Sequence, residues 1–184
     1  MPKTFIFLAP GFEETEAIVT IDILRRAELE VETISITSQK EVTGAHGITV
    51  LADSLFKDAD FSAGEMLILP GGMPGTRNLD EHAGLKKLIA DYHATGKYLS
   101  AICAAPMILG EMGLLKGEKA ISYPGFEKHL LGAEISKERV VSSGKFITAK
   151  GPGVAAQFAL EIVKTLKGES VASEIVEAFI VSDC

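Results

Sequence analysis

The chain reads as an α/β protein built on a mostly parallel, doubly wound sheet with helices on both faces. Three observations carry that expectation. Phe5-Ile6-Phe7-Leu8 and Met66-Leu67-Ile68-Leu69 are continuous apolar runs, as parallel strands buried on both faces require. Each is broken by a Pro-Gly pair, Pro10-Gly11 and Pro70-Gly71, before a stretch of different character begins. Strand-like and helix-like stretches then alternate to the end of the chain, with no repeat or linker to mark a boundary, so residues 1–184 are expected to form one domain.

The elements follow in order. After Pro10-Gly11, Phe12-Glu13-Glu14-Thr15-Glu16 leads into a helix with Ala17, Ile21 and Leu24 at helical spacing. Glutamates in its first turn and Arg25-Arg26 in its last suit the helix dipole, which alone is a sufficient structural reason for them. Val31 to Ile36 alternates as a second strand. Val42 and Ile48-Thr49-Val50-Leu51 flank Gly44-Ala45-His46-Gly47 as a hairpin, and residues 53–63 read as a loop or short helix. Pro70-Gly71-Gly72-Met73-Pro74-Gly75 ends the next buried strand. It has neither the Lys-Ser/Thr of a phosphate loop nor a G-x-G-x-x-G pattern, so nucleotide binding is not expected there. Leu85, Leu88, Ile89 and Tyr92 mark a helix closed by Gly96. Lys119 to Ser122 is a short strand turning at Tyr123-Pro124-Gly125. Val140 to Ser142 and Phe146 to Ala149 pair around Ser143-Gly144-Lys145. Lys150-Gly151-Pro152-Gly153 precedes a helix with Ala159, Ile162, Val163 and Leu166, and 169–179 forms a last helix.

Composition narrows the function classes. A net charge of -7 with no basic patch argues against nucleic acid as a partner. The run from Phe5 to Ala9 is too short for a signal or membrane segment, and two cysteines, Cys103 and Cys184, make neither a disulfide framework nor a metal-ligand spacing. A cytoplasmic protein with reduced thiols is expected, Cys184 being a bystander.

The chemistry centres on Lys97-Tyr98-Leu99-Ser100-Ala101-Ile102-Cys103-Ala104-Ala105-Pro106, a short strand that reaches a cysteine and turns at once into a helix. Alanines two residues before and after Cys103 suit a sharp nucleophile turn, although a buried inert thiol reads the same way. Parallel strand ends share one sheet edge, so Glu16 is placed to face Cys103. A protonated carboxyl there would donate to the thiolate and lower the cysteine pKa, and the N–H groups of Gly72 and Ala104 would hold an oxyanion.

Taken together, Ala9-Pro10-Gly11-Phe12-Glu13-Glu14-Thr15-Glu16, Asp22 with Arg25-Arg26-Ala27, Leu69-Pro70-Gly71-Gly72, Ala101-Ile102-Cys103-Ala104-Ala105-Pro106 and Lys150-Gly151-Pro152-Gly153 resemble the ThiJ/PfpI superfamily over nearly the whole chain, in the branch of the Parkinsonism-associated deglycase and its bacterial relatives. The resemblance implies a flavodoxin-like fold, a homodimer, and no metal or organic cofactor. It implies a reactive, easily oxidised Cys103 with a protonated Glu16 beside it, and Gly71, Gly72 and Ala104 around the oxyanion site. The activities it implies are conversion of 2-oxoaldehydes or repair of their protein glycation adducts, or else oxidative-stress sensing and holdase chaperoning with Cys103 taken to sulfinic acid. Ala104 stands where the peptidase branch has its histidine, so peptidase activity is not expected. Tyr123 stands where some members carry a proton-shuttling histidine and is a candidate for that task. His129, six residues on, would have to curl back; His46 in the hairpin could approach a dimer pocket; His82 and His93 fall on helix surfaces.

Overall fold

A computed structural model of the chain describes residues 1–180; Cys184 lies outside them. The elements of the main sheet are β1 (Lys3–Leu8), β2 (Glu30–Ser35), β5 (Ser54–Leu55), β6 (Gly64–Leu69), β7 (Tyr98–Ile102), β10 (Val140–Ser143) and β11 (Phe146–Ala149). They lie in the order β10-β11-β7-β6-β1-β2-β5. Every neighbouring pair is parallel except β10 with β11, the expected hairpin. Helices α1 (Glu14–Arg26), α5 (Ala155–Lys167) and α6 (Glu169–Phe179) cover one face, and α3 (Ala83–Ala94) and α4 (Pro106–Glu111) the other.

The reason the strands carry unbroken apolar runs is visible in the two cores. Ile6, Leu8, Met66 and Ile68 pack beneath Phe158, Ile162 and Leu24 on one side. Phe5, Phe7, Leu67 and Leu69, one residue out of phase, pack with Leu85, Ile89 and Ile108 on the other. Strand side chains alternate between faces, so a strand covered twice must be apolar at every position.

The remaining elements are β3 (Glu41–Thr43) and β4 (Thr49–Leu51), the expected antiparallel hairpin, together with α2 (Gly75–Glu81), β8 (Lys119–Ala120) and β9 (Glu134–Ile135). Residues 53–63 contribute β5, an edge strand held by Asp53, whose carboxylate accepts from the Thr33 N–H and hydroxyl. The strand expected at 119–122 is shorter and pairs with β9 in a separate two-stranded sheet. No helix among the described residues is long and apolar enough to cross a membrane.

Candidate active site

β1, β6 and β7 are adjacent and parallel, so their carboxyl ends at residues 9, 70 and 103 meet at one edge. Cys103 follows β7 directly. Its φ is +65°, the left-handed region that a side chain with a Cβ enters at a cost of about 1–3 kcal/mol. That strain is held from both sides: the Cys103 N–H donates to the Ala149 carbonyl at 2.9 Å, and its carbonyl accepts from the Tyr123 N–H at 2.7 Å. Ala101 and Ala105 are fully buried, so nothing larger fits beside the turn. The helix that follows is only six residues long, so the local Ala104 N–H matters more to the sulfur than any long dipole.

The three glutamates at the start of α1, one capping it and two within its first turn, do three different things. Glu13 caps the helix, accepting from the Glu16 N–H at 2.7 Å. Glu14 is buried and clasps the β3–β4 turn: its Oε1 accepts from the His46 N–H at 2.6 Å and its Oε2 pairs with His46 Nδ1 at 2.8 Å. Against its burial, the hydrogen bonds from the His46 side chain and then its backbone hold Glu14 below the usual carboxylate range, and Glu14 in turn holds His46 above its ordinary value. Glu13, Glu14 and His46 bring one ligand atom each within 4.8 Å of one another, but both Glu14 oxygens are already bonded to the hairpin. Glu16 is fully buried under the sheet edge.

Glu16 Oε2 accepts from the Gly71 N–H at 2.8 Å, and Oε1 is buried with no donor. Gly71 leaves no space between the two key groups: a Cβ there would lie 2.6 Å from Cys103 Cβ and 2.8 Å from Glu16 Oε2. Gly72, at φ +90°, and Ala104 turn their N–H groups toward the Cys103 sulfur. Gly71 was expected with them at the oxyanion position, yet its N–H is committed to the carboxyl.

Burial pushes the Glu16 carboxyl up to about 7, against the Gly71 N–H and the thiol, which pull it down. Burial, then the Glu16 charge and hydrogen bond, push Cys103 up to about 12, against the Gly72 and Ala104 N–H groups. The expectation of a lowered thiol pKa therefore meets a correction, because removing the sulfur from water outweighs the donors around it. Two acids this close titrate as a pair. One proton leaves near neutrality, the second is retained into strong alkali, and between them the site holds one proton and one negative charge.

Tyr123 is 47% exposed, and the structure links it to Cys103 through its backbone N–H. His129 does not curl back: its Nδ1 is 2.6 Å from Glu111 Oε1 at the far end of α4. His82 caps α3 through Nδ1 and lies against Phe56, and His93 lies beside Phe146. The Glu14–His46 clasp was missed by sequence reasoning; the one signal for it was an unusual run of acids facing a hairpin that carries a histidine.

A strained cysteine turn at the carboxyl edge of a doubly wound sheet, with a buried acid beside it, defines a class of α/β proteins with a nucleophile elbow. The pattern of the DJ-1/PfpI family matches residues 2–165, and the chain belongs to that family. It is 38% identical to Protein DJ-1 homolog B of Arabidopsis thaliana over 175 residues, covering 94% of this chain and 40% of that one. The chain thus spans less than half the length of the two Arabidopsis relatives it matches. It is 35% identical to the glutathione-independent glyoxalase DJR-1.2 of Caenorhabditis elegans, over 90% of both chains. Its fold is similar to that of oxidized DJ-1 from Toxoplasma gondii, with a TM-score of 0.95, 34% identity and full coverage of both chains.

Proposed function

We propose that this chain converts 2-oxoaldehydes such as methylglyoxal, or their early adducts on proteins, with Cys103 as nucleophile and Glu16 as the group that moves protons. The observation that carries the reading is the buried Glu16 carboxyl, poised near pH 7, with one oxygen on the Gly71 N–H, the other without a partner, and the Cys103 thiol in hydrogen-bonding contact with the group. For this reaction we place the shared proton of the pair on Glu16 and the charge on sulfur, although burial weighs against the thiolate. A thiolate is met by the Gly72 and Ala104 N–H groups and by the carboxylic acid, whereas a carboxylate has only the Gly71 N–H and the thiol.

From that state the sulfur adds to the aldehyde carbon, and the carbonyl oxygen takes the Glu16 proton to give a hemithioacetal. The Glu16 carboxylate then removes hydrogen from the same carbon, forming an enediolate with the neighbouring carbonyl. Glu16 returns the proton to the second carbon while the hydroxyl proton passes to the second oxygen, leaving a thioester. Water cleaves it to a 2-hydroxy acid and frees the thiol. Substrate plus water equals product, and no electrons leave. Gly72 and Ala104 are the residues proposed to hold the oxyanion, and Gly71 is proposed to orient Glu16. Tyr123 remains the candidate for relaying a proton at the mouth. The similarity to a relative named a glyoxalase supports the substrate class. Incubation with methylglyoxal should yield lactate at a rate abolished in Cys103→Ala; lactate formation untouched by that change overturns the reading.

A second reading has its own support. One solved relative is the oxidized DJ-1 of Toxoplasma gondii, and the N–H groups of Gly72 and Ala104 would hold the oxygens of a sulfinate equally well. Two equivalents of peroxide would carry the thiolate through sulfenic to sulfinic acid, releasing hydroxide and then water, as a stress sensor or stress-activated holdase requires. For either role we propose a homodimer in a reducing, cytoplasmic setting. Ile18, Ile48 and Leu51 are 43%, 56% and 68% exposed on α1 and the neighbouring hairpin, an apolar face suited to a second copy.

A further inference from the structure

The start of α1 and the end of β6 are tied by a closed ring of three hydrogen bonds. The Glu13 N–H donates to the Gly71 carbonyl at 2.9 Å, the Gly71 N–H donates to Glu16 Oε2 at 2.8 Å, and the Glu16 N–H donates to Glu13 Oε2 at 2.7 Å. Both backbone groups of Gly71 are thus committed to the two glutamates. Gly72 closes the same seam, where an added Cβ would come within 2.4 Å of the Glu13 nitrogen. Glu13 is bonded both to the glycine that orients the Glu16 carboxyl and to the backbone that carries it.

Helix capping alone does not call for a glutamate here. Ser, Thr, Asp and Asn are the favoured N-caps, and a neutral Asn would satisfy the same donor with a shorter side chain. What Glu13 adds is a negative charge one helical turn from Glu16, where Cβ atoms are about 5–6 Å apart. Burial is the main reason that Glu16 holds its proton, and the Glu13 charge acts in the same direction. The other ionisable groups around the two are Glu14 on the same helix, His46 on the hairpin and Cys103 at the elbow. His46 pairs with Glu14, and among the described residues no lysine or arginine lies within ion-pair distance of Glu13.

We propose that Glu13 is a positioning residue of this site: its carboxylate fixes the Glu16 backbone through the ring, and its negative charge opposes the anion that the Cys103–Glu16 pair must carry to react. Glu13 thereby holds the pair silent in acid and aligned at neutrality. The proposal rests on the glyoxalase reading for what the anion does, but its first test does not. Glu13→Asp and Glu13→Asn both keep a favoured cap and differ by one charge. With carbon-13 at the glutamate Cδ and the cysteine Cβ, NMR follows the first ionisation of the pair whichever atom releases the proton. At low ionic strength the ionisation constant should rise about three-fold in Glu13→Asn, the effect of removing a unit charge from about 6 Å even at the dielectric of water. Glu13→Gln, which keeps the length of the side chain, should follow Asn, and Glu13→Asp should stay near the parent. A constant indifferent to Asn and Gln, or moved equally by Asp, overturns the proposal.

Turnover of methylglyoxal provides the second arm. The ratio of kcat/KM at pH 5.5 to that at pH 8.5 should rise about three-fold in Glu13→Asn and not in Glu13→Asp, following the same charge. The ring is read at pH 8.5, where the pair has already ionised: Glu13→Ala, with no cap, should fall about tenfold below Glu13→Asn, as a misplaced catalytic group does. Equal rates in Ala and Asn overturn the positioning role. Methylglyoxal turnover whose pH profile ignores the charge overturns the proposal and leaves the glyoxalase reading intact. A charge-dependent ionisation constant with no turnover in any variant keeps Glu13 in its role and overturns that reading.

Discussion

Replacing Glu16 with glutamine should stabilise this protein at pH 8 and do little at pH 5. In the unfolded chain the carboxyl gives up its proton near the ordinary 4.5, whereas the folded site keeps it to about 7. Between those pH values folding takes up a proton, so stability falls as pH rises through the window and the loss is complete above 7. Moving the carboxyl from 4.5 to about 7 corresponds to about 3 kcal/mol at 1.36 kcal/mol per tenfold. The balance holds whichever atom carries the remaining proton, because it counts protons in the pair. Glutamine is neutral at every pH, keeps an oxygen for the Gly71 N–H, and escapes this cost. At pH 8 the variant should therefore melt about 6–12 °C above the parent, at about 2–4 °C per kcal/mol for a chain of this size. At pH 5 the gap should shrink to about a third or less, since most of the window lies above that pH. Calorimetry at pH 5 and pH 8 measures it. A gap that does not widen with pH, or a variant less stable at pH 8, refutes the claim that burial dominates at Glu16. The same variant should lose about 10²–10⁴-fold in lactate formation, because its amide cannot shuttle a proton.

Further outcomes follow from the same geometry. Alkylation of Cys103 should rise with an inflection near pH 7 if the shared proton sits on Glu16; a rate that climbs only well above the ordinary thiol value of about 8.5 would place it on sulfur and remove both active readings. Gly71→Ala should cost about 1–3 kcal/mol and at least tenfold in turnover, because the added methyl pushes Cys103 and Glu16 apart; a fully active variant would show that their spacing is unimportant. His129→Gln should change lactate formation less than twofold, since His129 is spent on Glu111. Leu51→Glu combined with Ile18→Glu should yield monomers in sedimentation, and an unaltered mass would mean that the apolar face is not the dimer contact.

Much of this protein was legible before any coordinates. Continuous apolar runs such as Phe5–Leu8 imply strands covered twice, and two Pro-Gly stops together with the Cys103–Pro106 turn put three breaks at corresponding strand ends. Small residues around Cys103 anticipated a turn that the structure holds at φ +65°. These are local consequences of side-chain volume, backbone freedom and period, which a linear chain displays. β5, α2 and the β8–β9 pair were not legible, because short edge elements depend on partners far away in sequence; Asp53 reaching Thr33 is one such dependence.

The sequence by itself determined the fold class and the identity of the pair, Cys103 and Glu16, through residue types at strand ends. Only the tertiary structure decided how that pair behaves. Whether Glu16 is a helix-dipole partner or a buried acid depends on how far water is excluded from it, and desolvation is a property of packing, not of composition. The same holds for Gly71, whose N–H went to Glu16, and for Glu14, which went to the hairpin.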